Sequence, residues 1–203
     1  MNGLDPLKVI DGMRLPPRTR ELLRPGERAK DRQGRAHVLP RFFLEIRSWE
    51  EAKKRQVTPH FTYSELMLVD CREADTLLKT FPHYVPCAVQ VLAQYLERFR
   101  EKVEAPVYVA TNGGYRSPAH RSQAQAATPH CWGCAANIYR VGDVYLDDEK
   151  SIERYRRIAE ALGPEVAAKP HGHGPEETDD HLHLDIGYMT LTPRGCDEGD
   201  ADE

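Results

Sequence analysis

The sequence predicts an α+β fold, with a small and mainly antiparallel sheet and helices packed on it. Residues Val85–Val103 carry apolar side chains at three- and four-residue steps, which is typical of an amphipathic helix. Short β-prone segments follow, VYVA at 107–110 and CAANIY at 134–139. Helices and strands do not alternate regularly, so the pattern does not favour a parallel sheet built from βαβ units.

Composition bounds the class of protein. The 203 residues suffice for one sizeable domain, and 40% hydrophobic with 30% charged residues is typical of a globular chain. The net charge of -4, from 28 basic and 32 acidic residues, argues against a nucleic-acid or membrane partner. Five cysteines are too few, and odd in number, for a disulfide framework.

No segment approaches the roughly 20 apolar residues of a membrane-spanning helix. The amino terminus also lacks a basic segment followed by an apolar core, so no secretory signal is predicted. We therefore expect a chain made in the cytoplasm, with its site of action left open.

The chain divides into three predicted parts. Residues 1–58 form an N-terminal extension, partly irregular, whose first 36 residues are rich in Pro, Arg and Gly and predict a loose arm with one short helix at most. Residues 59–190 form the main domain. Residues 191–203 are an acidic tail, predicted to be disordered.

Cap residues mark further helices. Ser48 with Glu51 predicts a helix to about residue 55, and Ser64 is a candidate cap for an element at 62–68. Asp147 or Asp148 begins a helix that runs to Leu162.

Three other segments carry local signals. The dipeptide Ser117-Pro118 predicts a short helix over Ser117–Ala127. Residues His37–Ile46 are a strand or a buried anchor, and His181–Tyr188 alternates as a strand does.

Chemistry-bearing residues concentrate in two distant stretches. Thr111–Asn137 contains Arg116 and His130, and Asp179–Tyr188 contains two histidines and three carboxylates. Imidazole, carboxylate and guanidinium groups from distant segments are the combination that a metal-assisted hydrolase uses.

Three ordered motifs give these stretches a family likeness. They are GYRSP at 114–118, TPHCWGCAAN at 128–137 and DHLHLD at 180–185. In this order and spacing they resemble the zinc D-Ala-D-Ala carboxypeptidase and peptidoglycan peptidase family of the Hedgehog/DD-peptidase fold. The resemblance covers about residues 59–190, which would then be a peptidase-like domain.

The resemblance implies a role for five residues. His130, Asn137 and His183 would be the metal ligands of a Zn2+ cofactor, Asp180 the general base, and Arg116 the residue that stabilises the developing oxyanion. The implied activity is that of a zinc-dependent carboxypeptidase or endopeptidase. The implied partner is a peptide or peptidoglycan-like substrate that contains D-amino acids.

Position 137 departs from the family, which has Asp where this chain has Asn. Three outcomes follow. Asn137 binds zinc weakly through its carbonyl oxygen, or a neighbour replaces it, or the domain is a non-catalytic module that binds a peptide or cell-wall ligand. The neighbours that could replace it are His181, His171, His173 and a cysteine thiolate.

Two further considerations bear on the motifs. In a regular strand His181 and His183 share a face while Asp180 points away, so the family roles require a bend near Asp180. The C-x-x-C pair Cys131 and Cys134 is also compatible with a thiol-redox site, although a preceding Pro-His turn is not the usual setting of such a motif.

Overall fold

The computed structural model describes residues 6–73 and 75–194 and shows a mixed α+β fold with small antiparallel sheets. The twelve strands within these ranges are β1 (Val9–Asp11), β2 (Arg28–Lys30), β3 (Ala36–Val38), β4 (Phe42–Ile46), β5 (Gln56–Thr58), β6 (Phe61–Thr62), β7 (His83–Pro86), β8 (Val107–Val109), β9 (Ala135–Val141), β10 (Val144–Tyr145), β11 (Ala167–Ala168) and β12 (Leu182–Asp185). The five α-helices of these residues are α1 (Pro17–Leu23), α2 (Trp49–Lys54), α3 (Tyr63–Met67), α4 (Val89–Val103) and α5 (Glu149–Glu160).

The main sheet has five antiparallel strands in the order β10–β9–β12–β11, with β8 also paired to β9. The CAANIY segment forms most of β9, and its residues 135–138 pair with β12. The expected strands at 107–110 and 134–139 are confirmed, and the strand expected over His181–Tyr188 is shorter, at Leu182–Asp185.

A second sheet contains strands from both sides of the predicted domain boundary at residue 58. Its order is β1–β4–β7, so β4 pairs with a strand from either side of that boundary. The short helix expected in residues 1–36 is present as α1, but the expectation of a loose arm is wrong for the described residues, because β1 pairs with β4 and β2 pairs with β3. Leu22 and Leu23 of α1 are buried in a small core cluster with Phe43.

Helix α4 supplies the centre of the main core. Val89, Leu92, Leu96 and Phe99 are fully buried on one face, which confirms the amphipathic pattern. The helix begins at Val89 and not at Val85, because residues 83–86 pair with β4 as strand β7.

Side-chain caps fix the ends of three helices. Ser48 Oγ accepts a hydrogen bond from the Glu51 amide at 3.0 Å, and Asp148 accepts one from the Ser151 amide at 2.7 Å, as expected for α2 and α5. The cap of α3 is Thr62 and not Ser64, because Glu65 completes a capping box with Thr62.

The helix expected over Ser117–Ala127 is not formed. Only a 3-10 turn at Arg121–Gln123 is present. Polar side chains in this stretch bind nearby backbone amides instead: Ser117 Oγ accepts from Ala119, and Gln123 Oε1 accepts from Thr128. Such local bonds compete with the helical ones.

Residues 191–194 contain neither helix nor strand, and residues 195–203 of the predicted acidic tail lie outside the described residues. Among the residues that the structure describes, no helix is both long and apolar enough to cross a membrane.

Candidate functional site

Asn137 and His183 form the centre of the site, on two neighbouring strands. They are direct partners in the antiparallel register of β9 and β12, and both are buried. The Nδ1 atom of His183 lies 2.9 Å from Oδ1 of Asn137, and its Nε2 lies 3.1 Å from a carboxylate oxygen of Asp185. Because a carboxylate only accepts, Nε2 carries the proton of a neutral His183 and the Nδ1 lone pair faces Asn137.

His130 reaches the same point from a 3-10 turn over Pro129–Trp132, which ends at Gly133 with a positive φ of 67°. Its Nδ1 atom donates to the carbonyl oxygen of Gly114 at 2.8 Å, which leaves the Nε2 lone pair of the neutral ring available. The ring centroids of His130 and His183 are 5.1 Å apart.

Both imidazoles are held in the neutral form. Burial lowers the pKa of His130 well below its usual 6.5, and the nearby charge of Arg116 lowers it further. Burial also lowers the pKa of His183, although the bond to Asp185 opposes that effect. A neutral imidazole is the form that binds a metal.

Arg116 stands beside this pair on the turn that follows Gly114. Its Nε donates to the carbonyl oxygen of Asn112, and its Nη1 donates to Ser122 Oγ at 3.2 Å. Burial lowers the pKa of Arg116 to about 10, so the guanidinium remains charged at neutral pH. Gly114 allows the turn, because a Cβ there would lie 2.2 Å from the carbonyl oxygen of Leu66.

Asp180 lies outside this cluster. Strand β12 begins only at Leu182, so the backbone is not in a regular strand at Asp180 and His181. The Asp180 side chain is 78% exposed and accepts a hydrogen bond from His181 Nδ1. The ring of His181 lines the cleft described below, and burial lowers its pKa.

The two other candidate histidines lie in the loop that precedes β12. Among the described residues that line the cleft, neither His171 nor His173 occurs. His173 is 82% exposed in its side chain and pairs with Asp179 at 3.0 Å. This loop therefore offers no imidazole to the site in the present arrangement.

His130, Asn137 and His183 line an open cleft of about 660 Å³. The β2–β3 hairpin contributes Arg32 and Arg35 to its lining, which the sequence did not indicate. Arg32 Nη1 donates to the carbonyl oxygen of Pro175, and the hairpin therefore contacts the loop before β12. This contact is formed only in the folded chain, so no local signal could reveal it.

The hairpin is anchored by a buried carboxylate. Asp31 accepts hydrogen bonds from Arg35 Nε at 2.7 Å and from His37 at 2.9 Å. Although burial alone raises the pKa of Asp31, its bonds to these partners bring it down to about 2. His37 stacks on Tyr188 with a centroid distance of 3.7 Å, which ties the hairpin to the segment after β12.

A second feature that the sequence did not predict is a hydrogen-bond network around Asn112, which holds the backbone next to Arg116. His120 is buried, and its Nε2 lies 2.9 Å from Oδ1 of Asn112, the residue whose carbonyl binds Arg116. Asn112 has a positive φ of 59° and also accepts a bond from the Asp70 amide through its side chain. The network fixes the backbone that positions the guanidinium.

The cysteines of the C-x-x-C pair are buried thiols. Burial raises the pKa of both Cys131 and Cys134 to about 12. A thiol with such a pKa is neither a ready nucleophile nor a thiolate ligand at neutral pH. Neither residue is among those described as lining the cleft.

The residues fit a zinc ion in part. Two imidazoles that bind one zinc at about 2.0–2.1 Å with tetrahedral angles have ring centroids about 5 Å apart, close to the 5.1 Å seen here. The remote nitrogen of each ring is held by an oxygen acceptor, as in most histidine ligands. The third donor is the neutral amide of Asn137, and within residues 6–73 and 75–194 no cluster of three His, Cys, Asp or Glu side chains is arranged to hold a metal.

In comparison with known proteins, no protein-family model, curated protein or solved structure matches this chain.

Proposed function

We propose that this chain is a zinc-dependent hydrolase that cleaves a peptide bond in the cleft. The observation that carries the proposal is the pair of buried, neutral imidazoles of His130 and His183, 5.1 Å apart, each fixed through its remote nitrogen. Asn137 would complete the ligand set through its amide oxygen.

A zinc ion bound there would polarise the scissile carbonyl and lower the pKa of a water molecule. The protein supplies the remaining groups. Arg116 keeps its charge, and two oxygen acceptors fix its guanidinium beside the imidazoles. It is suited to binding the oxygen that becomes negative in the transition state.

Proton transfer is proposed for His181, with Asp180 acting through it. The Asp180 carboxylate accepts the Nδ1 proton of His181, so the Nε2 lone pair of the neutral ring is available. His181 lines the cleft, whereas Asp180 is largely exposed. In this arrangement Asp180 orients the base and stabilises its protonated form.

The substrate class rests on the motif resemblance, which points to a cell-wall-type peptide with D-amino acids. The same resemblance supports a Hedgehog/DD-peptidase-like arrangement. That arrangement is consistent with a small antiparallel sheet in which positions 137 and 183 lie on paired strands.

A second candidate is a module that binds such a peptide without turnover. One observation favours it. The side-chain amide of Asn137 lies within hydrogen-bond distance of His183, with its oxygen 2.9 Å from Nδ1. If the amide is turned so that its NH2 group faces His183, it would donate to the Nδ1 lone pair and satisfy the buried ring without a metal. Arg116 would then serve to bind a ligand carboxylate.

The test is zinc content and hydrolysis of a peptide ending in D-Ala-D-Ala, measured on the purified full chain with and without a chelator. The hydrolase proposal expects about one zinc per chain and turnover that is lost in His183→Ala. The matched control is His173→Ala, which removes an exposed imidazole outside the cleft and should leave both intact. Tight peptide binding with neither zinc nor turnover would establish the second candidate.

A further inference from the structure

Four side chains cluster on the surface near the carboxyl end of strand β9, and we call this cluster the tyrosine patch: Tyr108, Tyr139, Arg140 and Tyr145. The guanidinium carbon of Arg140 lies 4.0 Å from the ring centroid of Tyr108 and 5.7 Å from that of Tyr145. The ring centroid of Tyr139 lies 6.2 Å from that of Tyr108 and 6.3 Å from that of Tyr145. Tyr145 is 55% exposed, so the patch is open to solvent.

The patch begins on the face of the main sheet that bears the cleft. Side chains alternate between the two faces of a strand. Ile138 of β9 is buried in the core, so Asn137 beside it lies on the opposite face, where it lines the cleft. A bulge then shifts the alternation, because Val109 pairs with Ile138 whereas the preceding residue, Tyr108, pairs with Arg140.

Tyr139 is the extra residue of this bulge. The residue after Arg140, Val141, is again buried in the core. Two residues therefore separate the core-facing positions of β9, and the Tyr139 and Arg140 side chains both lie on the face of Asn137. The tyrosine patch thus continues the cleft face, starting two residues from Asn137 along the strand.

Arg140 carries a charge that no acid of the described chain balances. Within residues 6–73 and 75–194 its guanidinium forms no ion pair, and its Nε, which is buried, has no hydrogen-bond partner. The contacts that hold it are the rings of Tyr108 and Tyr145, whose faces attract a cation. A planar guanidinium held in this way keeps its N–H groups for an anion, and a carboxylate matches their paired geometry.

We propose that the tyrosine patch binds a carboxylate of the peptide that occupies the cleft. The inference rests on the proposed function only in taking the cleft ligand to be a peptide, and it applies to the hydrolase and to the binding module alike. A strand advances about 3.3 Å per residue, so Arg140 lies roughly 10 Å from Asn137. An extended peptide covers that distance in about three residues, so the carboxylate belongs to the third residue from the bond at the imidazole pair.

The test uses two peptides that differ in one charge, acetyl-Glu-Ala-D-Ala-D-Ala and acetyl-Gln-Ala-D-Ala-D-Ala. In both, the variable residue is the third on the amino side of the bond between the two D-Ala residues. Affinity is measured by calorimetry on the full chain at pH 7 with a chelator present, so that neither zinc nor turnover is needed. We expect the Glu peptide to bind about tenfold more tightly, which is typical of one hydrogen-bonded pair between charged groups.

Two variants locate the binding. Arg140→Gln removes the charge and keeps a polar side chain, and it should abolish the preference for the Glu peptide. Arg154→Gln is the matched control, because Arg154 likewise lies over a tyrosine ring but belongs to α5 and is not among the described residues that line the cleft. Equal affinities of the two peptides for the native chain would overturn the proposal, and so would a preference that persists in Arg140→Gln or is lost in both variants.

The native chain gives a second readout, should Arg140→Gln fail to fold. The amide NMR signals of residues 139–145 should shift more with the Glu peptide than with the Gln peptide, and equal shifts would refute the assignment. The outcome is separable from that of the hydrolase proposal. A preference that depends on Arg140, without zinc or turnover, would support the patch and refute the hydrolase, whereas turnover with equal affinities would do the reverse.

Discussion

His183 and Asn137 are opposite each other in the β9–β12 pair, and the Nδ1 of His183 lies 2.9 Å from Oδ1 of Asn137. The motif resemblance implies a carboxylate at position 137, and this chain has a neutral amide there.

Restoring that charge should strengthen metal binding. We expect Asn137→Asp to raise zinc affinity at least tenfold, because a carboxylate is a charged oxygen ligand and the amide is neutral. Affinity is measured by competition with a chromogenic chelator at pH 7. Asn137→Ala, which removes the oxygen altogether, is the control and should bind zinc no better than the native chain. Equal affinities of the Asp and Ala variants would show that position 137 does not contact the metal.

Arg116 should matter for the transition state. If the chain hydrolyses peptides, Arg116→Ala should lower kcat by about 100-fold or more, as loss of a single oxyanion donor does in other enzymes. Arg121→Ala, an exposed arginine outside the cleft lining, is the matched control. A rise in KM with unchanged kcat would instead indicate that Arg116 only binds the substrate.

Acid should destabilise the fold through its buried histidines. Burial lowers the pKa of His83 from 6.5 to about 4, so between these values the unfolded chain binds a proton that the folded chain does not. The free energy of unfolding therefore falls as the pH falls through this window, by about 3 kcal/mol for this one group.

The free energy of unfolding is measured by urea denaturation at pH 7 and pH 4.5. The pH dependence should be smaller in His83→Leu than in the native chain, while His173→Gln, at an exposed position, should follow the native curve. Parallel curves for His83→Leu and the native chain would contradict the expectation.

Thiol chemistry should be confined to the surface. Cys71 is exposed, whereas Cys131 and Cys134 are buried with pKa values near 12. In a Cys196→Ser background, a thiol reagent at pH 8 should modify Cys71 quickly and leave the C-x-x-C pair unreacted until urea is added. Rapid loss of two further thiols in the native state, with formation of a disulfide, would revive the redox interpretation.

The hairpin contact should control the order of the loop before β12, which lines the cleft. Arg32→Ala removes the bond to the Pro175 carbonyl and the 3.8 Å approach to Glu176. We expect faster hydrogen exchange of the amides of residues 171–178 and weaker peptide binding. Arg28→Ala, in the same hairpin but outside the cleft lining, is the control. Unchanged exchange in Arg32→Ala would show that the loop is held by its other contacts.

Local signals predicted much of the fold. Ser48 and Asp148 cap their helices as the sequence indicates, since a cap depends only on residues three positions away. The buried face of α4 was also predictable, because its apolar residues recur at the period of an α-helix. In contrast, β1 pairs with β4, which lies more than thirty residues later in the chain. No pattern within Val9–Asp11 indicates which strand it pairs with.

The sequence pointed to residues that the structure brings together, but it did not predict their contacts. The motifs bring His130, Asn137 and His183 to one place, and the register of β9 and β12 makes that possible. The exposure of Asp180 and its bond to His181 depend on where β12 begins. The sequence left that boundary open, because alternation alone does not fix the first residue of a strand.

The β2–β3 hairpin has a consequence for synthesis of the chain. Arg32 and Arg35 leave the ribosome long before the strand that carries His183, so the hairpin exists without the cleft that it lines for most of translation. Contacts between such distant residues form late and slow the folding reaction. The cleft should therefore be among the last parts of the molecule to mature, and its full lining cannot be obtained by expressing residues 59–203 alone.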